Sequence, residues 1–265
     1  MHVIRVATQN IWAFHGDWPN RRTVLIDGFR RLQPDLVAFQ EAIVTADYDQ
    51  ARDLLGPDFH LAHQQRRWED GGGVTIASRW PIANVRELES DTIAAEIEAP
   101  LGPLLFVDHC PRYELDGELT RERENVAAAR LVEEMRDDHH VVLAGDLNAR
   151  PESAGLRFLL GLQSLDGMSV CYRDAWQAAH PGEPGHTFTP ENPTMPTGEK
   201  GFWLLEPGRR IDYVLVRCSD HGPTLDIRSC ERLFDRPVRG TWASDHFGVT
   251  AELVDELPDG RPVPV

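Results

Sequence analysis

Val141-Val142-Leu143-Ala144-Gly145-Asp146-Leu147-Asn148 is an apolar run that ends in a carboxylate and an amide two residues apart. Consecutive apolar residues of this length predict a buried strand, of the kind found inside a sandwich. Side chains two positions apart in an extended chain share a face, so Asp146 and Asn148 are expected side by side at the strand's end. A carboxylate there orients and deprotonates water, while an amide donates to a phosphoryl oxygen, and the pair suits phosphoester hydrolysis. An isolated Asp-x-Asn is also an ordinary turn in which both side chains cap the backbone, and the segment alone leaves both readings open.

Upstream, residues 3–9 read as a strand with Asn10 at its end, before Trp12, Gly16 and Pro19 break the pattern. Residues 21–32 place Val24, Leu25, Gly28, Phe29 and Leu32 at helical spacing, and Pro34 stops the helix. The apolar run Leu36-Val37-Ala38-Phe39 then delivers Gln40-Glu41. Further strands are expected at 73–78, 92–97, 104–109, 211–216 and 247–253, and a helix at 121–136. Strands interleaved with helices at uneven spacing point to an α/β fold of two mixed sheets packed face to face with helices outside. No internal repeat or linker divides the chain, so residues 1–257 are expected to form one domain and 258–265 an extended tail. Residues 180–210 are rich in Pro and Gly without a period, as in a functional insertion or a surface excursion.

The 265 residues carry 43 acidic and 27 basic side chains, a formal net charge of -16. That field disfavours nucleic acid and anionic membrane and attracts divalent cations, for which carboxylates are the preferred hard ligands. Four well-separated cysteines without a C-x-x-C pair suggest a reducing compartment. With a strand starting at Val3 and no long apolar run, neither a signal peptide nor a membrane span is expected, and the reading is a cytoplasmic protein.

Three other places carry candidate chemistry. Ser244-Asp245-His246 precedes the last strand, and an adjacent Asp and His reach one site only from a turn. Asp212 is embedded in an apolar strand, where a buried carboxylate needs a partner, most naturally a histidine. His109 ends the strand at 104–109, and Glu41 and Asn10 follow strands; each of these is as easily a structural or solvated residue when taken alone. The tryptophans at 12, 18, 68 and 80 and the arginines at 121, 123 and 130 read as packing and as a solvated helix face.

Taken in order, Asn10, Gln40-Glu41, His109, Gly145-Asp146-Leu147-Asn148, Ile211-Asp212-Tyr213 and Ser244-Asp245-His246 resemble the motifs of the endonuclease/exonuclease/phosphatase superfamily over residues 3–253. Gly73-Val74-Thr75-Ile76-Ala77-Ser78-Arg79-Trp80-Pro81 is similar to its G-x-x-I-x-S-R-x-P strand. The resemblance implies a four-layered α/β sandwich with the site at the mouth between two sheets. It implies that Glu41, helped by Asn10 and Asp245, holds a divalent cation, Mg²⁺ or Mn²⁺, and that Asp146 positions and deprotonates the attacking water. Asn148 and His109 would donate to phosphoryl oxygens, and His246, oriented by Asp212, would be a charged phosphate contact or general acid. Two departures stand out. There is no basic stripe, and the 180–210 segment, with Phe188, Trp203 and Arg209, has no counterpart in the superfamily's nucleases. Both favour a small-molecule phosphoester over DNA or RNA. A nuclease is the alternative within the class, and a catalytically silent binding module the alternative outside it, against which the intact set of site residues argues.

Overall fold

The computed structural model describes residues 2–195 and 207–256. Strand β1 (Val3–Asn10) is followed by helix α1 (Trp18–Leu32) and by β2 (Leu36–Gln40), which pairs parallel to β1. Helix α1 begins where the Asp17 side chain accepts the Asn20 N–H, with Pro19 in the first turn, where a missing N–H costs nothing. It ends at Gln33, whose φ of +51° and N–H to Phe29 O close the last turn.

Next come α2 (Gln50–Leu55), β3 (His60–His63), β4 (Thr75–Ser78), β5 (Ile82–Glu87), β6 (Asp91–Ala99) and β7 (Gly102–Cys110). They are followed by α3 (Glu118–Met135), β8 (His140–Asp146), α4 (Ala154–Leu159), β9 (Tyr172–Asp174) and α5 (Ala175–Ala179). Strands β10 (Asp212–Arg217), β11 (Asp226–Leu233) and β12 (Gly248–Val254) complete the described elements. One six-stranded sheet runs β11-β12-β1-β2-β4-β3 and the other β5-β6-β7-β8-β10-β9, both mixed.

Period-2 alternation sorts the apolar side chains into layers. Ile4, Val6, Leu36, Ala38, Ile76, Leu104, Phe106, Val142, Ala144, Val214 and Val216 fill the space between the sheets. The opposite faces bury Ala7, Val37 and Phe39 against Val24, Leu25 and Phe29 of α1, and Leu105, Val107, Val141 and Leu143 against Val126, Ala129 and Val132 of α3. Each fully buried Leu, Val or Phe contributes roughly 1.5–3 kcal/mol. The result is the expected four-layered α/β sandwich with helices outside.

The strands absent from the sequence reading are β3, β5, β9 and β11, and these are the four sheet edges. An edge strand has one neighbour and a wetter surface, so it needs no continuous apolar run. Strand β5 is exposed along almost its whole length. Helices α2, α4 and α5, of 6, 6 and 5 residues, are too short to show a helical period and were likewise not anticipated.

In the long segment, Phe188 and Arg209 form an isolated β-bridge, and Asn192 Nδ2 donates to Ser244 O at 2.7 Å. Trp203 and the 258–265 tail lie outside the described residues. Among the described residues no helix is long and apolar enough to cross a membrane.

Candidate active site

The rows of side chains that face the space between the sheets turn polar at one rim. In β1 the row reads Ile4, Val6, Thr8, Asn10; in β2 Leu36, Ala38, Gln40; in β7 Leu104, Phe106, Asp108; in β8 Val142, Ala144, Asp146. Strand β10 runs antiparallel to β8 and enters the same rim with Asp212, directly opposite Asp146. Strand β12 is antiparallel to β1, so the Ser244-Asp245-His246 turn before it arrives there as well. Parallel and antiparallel pairing thus bring strand ends and strand beginnings to one place.

The side chains form a connected set. Asn10 Nδ2 donates to Glu41 Oε1 at 3.0 Å and to Asp146 Oδ2 at 3.1 Å, across the two sheets. Its Oδ1 accepts the Trp12 N–H at 2.9 Å, so in this arrangement the amide organises both carboxylates and directs no oxygen at them. His246 Nδ1 lies 3.1 Å from Asp212 Oδ2, and Nε2 lies 3.8 Å from Asp146 Oδ2. Ser244 Oγ donates to Asn10 O at 2.7 Å, which ties the last turn to β1, and lies 3.2 Å from Asp245 Oδ1.

Thr187, in the long segment, joins the start of the strand that carries Asp212 to the turn that carries His246. Its Oγ1 accepts the N–H groups of Ile211 and Asp212 at 3.1 and 3.2 Å, and its carbonyl accepts that of Phe247 at 2.7 Å. Nothing in its local sequence marked it. The buried Arg21 was read only as the start of a helix, yet it donates to the carbonyls of Ile11, His15 and Ala243 and so braces the loops beneath Glu41 and Asp245.

Burial pushes the Asp146 carboxyl up to about 7, with Asp212 adding and His246 opposing. Asp245 is pushed up to about 6, again chiefly by burial. Burial alone would lower His246, but the carboxylates of Asp212, Asp146 and Asp245 outweigh it and hold the imidazole well above its ordinary value. The carboxylates favour the charged ring, whose Nδ1 is hydrogen-bonded to Asp212 while Nε2 faces Asp146 at 3.8 Å.

Asp146, Asp212 and His246 could by composition ligate a metal, their atoms lying within 4.8 Å of one another. In the metal-free protein the same carboxylates favour the protonated ring, which would have to give up that proton to ligate a cation. Among the described residues, the cationic groups that act on Asp146, Asp245 and Glu41 are His246 and Arg21. The uncompensated charge, held on hard oxygen donors, suits a divalent cation.

Two residues depart from their expected placement. Strand β8 stops at Asp146, and Asn148 has φ +49°, so the pair is not extended. Asp146 Oδ1 accepts the Asn148 N–H at 3.1 Å, and Asn148 Nδ2 donates to Pro111 O at 3.0 Å. The turn reading and the site reading hold together, since Asn148 still lines the cleft. His109, one position past the inward row of β7, faces the α3 side. It is fully buried, its Nδ1 is 2.7 Å from Thr92 Oγ1, and burial pushes it down to about 4. The inward position belongs to Asp108, which the alternation Leu104, Phe106, Asp108 would have revealed.

A cleft of about 820 Å³ opens over the set, with Glu41, Asp146, Asn148 and His246 in its lining. Phe188 packs 4.9 Å from the His246 ring, while Trp68, Tyr113 and Leu115 are exposed at the mouth. Six carboxylates line the cleft against four guanidiniums. Of these, Arg67 is engaged with the carbonyls of Ala42, Gly71 and Val74, Arg112 with Glu114 and Arg66 with Glu89.

Fold and rim together define an α/β sandwich of the endonuclease/exonuclease/phosphatase type. The profile of the Endonuclease/Exonuclease/phosphatase family matches residues 7–246, and the chain belongs to this family, whose members are metal-dependent phosphoester hydrolases. The human protein "Sphingomyelin phosphodiesterase 2" is similar, at 27% identity over 253 residues. That match takes in 83% of this chain and 56% of the relative, so the chain spans little more than half of that protein's length. Among solved structures, D. rerio TDP2 complexed with a single-strand DNA product superposes with a TM-score of 0.76 at 16% identity, covering 96% of this chain and 99% of that one. An endonuclease/exonuclease/phosphatase from Bacteroides vulgatus gives 0.71 at 17% identity, with 96% and 99% covered. At these identities the superpositions establish the fold.

Proposed function

We propose that the chain is a divalent-metal-dependent hydrolase of phosphoester bonds, a phosphatase or phosphodiesterase acting on a small or medium phosphorylated compound. The observation that carries this reading is the Asp212–His246 pair facing Asp146, which a single amide, Asn10, links to Glu41. Glu41, with Asn10 and Asp245 beside it, would hold Mg²⁺ or Mn²⁺, and the bound ion would supply positive charge against the phosphoryl group.

Asp146, with a proton affinity near neutrality, orients the attacking water and takes its proton. His246, kept charged by its carboxylate neighbours, donates from Nε2 to a phosphoryl or leaving-group oxygen. Asn148 Nδ2 donates to Pro111 O and, weakly, to Cys110 Sγ at 4.0 Å, and the N–H on the sulfur is the one that would turn to a second phosphoryl oxygen. The acidic, arginine-engaged cleft and the net charge of -16 favour a compact substrate over a polynucleotide.

The test is a panel of phosphomonoesters, small phosphodiesters, sphingomyelin vesicles, DNA and RNA, with Mg²⁺ or Mn²⁺ present. Turnover of a non-polymeric phosphoester that is lost with chelator and in Glu41→Gln is the expected result. Turnover undiminished by excess chelator overturns the metal role. Cleavage of DNA or RNA alone, declining steeply with salt, replaces the substrate reading with a nuclease.

A further inference from the structure

Asp108 is fully buried between the sheets, in a row that is otherwise apolar, and it does not line the cleft. Its Oδ1 accepts from Gln40 Nε2 at 2.7 Å, across the sandwich from β7 to β2. Gln40 Oε1 in turn accepts from Thr8 Oγ1 at 3.2 Å. Three fully buried polar side chains therefore form one chain that spans both sheets. The backbone N–H groups of Thr75 and Phe39 also lean on the Asp108 carboxylate. A polar chain of this kind is costly in an apolar layer, and replacing such groups by apolar ones is often neutral or stabilising. Stability alone does not account for it.

What the chain touches is the residue before Glu41. Glu41 has φ +55°, a left-handed conformation that a glutamate adopts only when its surroundings hold it there. Its own carboxylate has Asn10 as a donor, and the Gln40 carbonyl accepts the Ile11 N–H at 3.0 Å. Beside the Ala42 N–H bond to Gly73 O on the far side of Glu41, the Gln40 side chain is a further handle on this segment, and Asp108 holds its far end. We propose that Asp108, acting through Gln40, is a positioning residue for Glu41 that sets the affinity of the site for its divalent cation. This rests on the metal reading above.

The experiment is calorimetric titration of metal-free protein with Mn²⁺, alongside the thermal midpoint of the metal-free form. Loss of a group that orients a metal ligand typically weakens binding by about 10–100-fold. Asp108→Leu and Gln40→Leu are expected to lose Mn²⁺ affinity to that extent, beside a fall of about 2–12 °C in the metal-free midpoint from the buried partner each leaves unpaired. Asp108→Asn still accepts from Gln40 and is expected to stay near wild type. Thr8→Val, which keeps the volume, gives an intermediate loss and serves if the leucine variants do not fold. A purely structural strut would move the midpoint and leave affinity alone. Variants that bind Mn²⁺ like a binding-competent wild type overturn the positioning role, and a wild type that binds neither Mn²⁺ nor Mg²⁺ overturns the metal reading together with it.

Discussion

Asp212 Oδ2 sits 3.1 Å from His246 Nδ1, and both side chains are buried. The carboxylate turns the ring so that Nε2 points toward Asp146, and with its acidic neighbours it keeps the ring protonated against the effect of burial. Removing that charge leaves burial to lower the imidazole.

Asp212→Asn is therefore expected to reduce kcat by about 10²–10⁴-fold, the range for loss of acid–base assistance. The alkaline limb of the pH–rate profile should move to lower pH, because a histidine with a raised folded pKa loses its proton, and the stability linked to it, as pH rises through that value. A variant with an unshifted alkaline limb would remove His246 as the charged donor.

Much of this site was legible because buried central strands announce themselves. Val141 to Ala144 and Leu36 to Phe39 are continuous apolar runs, and the polar residue that ends each run lies on the rim. Three things were not legible. The edge strands are half-solvated and carry no apolar run. Asp108 and His109 differ by one position, and a one-residue step along a strand exchanges faces, so the histidine attracted attention while the inward acid did not. Thr187 acts through its hydroxyl and backbone on strands far away in sequence, a contact that only the folded chain creates.

His109 offers a direct discrimination. As a phosphoryl donor its removal should cost about 10²–10³-fold in kcat. Its placement against Thr92, on the α3 side of β7, predicts instead that His109→Gln keeps kcat within about tenfold and mainly lowers the thermal midpoint, since a buried hydrogen bond is lost at a cost of about 1–3 kcal/mol. Steady-state kinetics with a melting curve on the same preparation separates the two.

Asp146 carries opposite expectations for rate and stability. Asp146→Asn should lose turnover by several orders of magnitude while remaining folded. In the metal-free protein a carboxyl raised to about 7 binds its proton more tightly folded than unfolded. Its favourable contribution is complete only below the unfolded value and is lost as pH rises toward 7. The asparagine variant is spared that loss, so its metal-free midpoint should exceed wild type at pH 8 by about 2–4 °C per kcal/mol, with the gap narrowing at pH 5. A gap that widens on acidification would contradict the raised pKa. The acid limb of wild-type activity should lie at or below pH 7, because a bound cation lowers the carboxyl.

Gly145 is the one position in β8 where no side chain fits. Its φ is +152°, and a Cβ built there would stand 2.0 Å from His109 O, a backbone atom that cannot swing aside. Gly145→Ala must separate β7 from β8 at the residue before Asp146. The strained backbone and the overpacking each cost about 1–3 kcal/mol, so a fall in thermal midpoint of roughly 4–24 °C is expected at 2–4 °C per kcal/mol. The displacement also moves Asp146 away from Asn10 and His246, so kcat per folded molecule should drop at temperatures well below the new midpoint. A variant of normal stability and normal kcat would show that the close approach of these two strands does not set the geometry of the carboxylate.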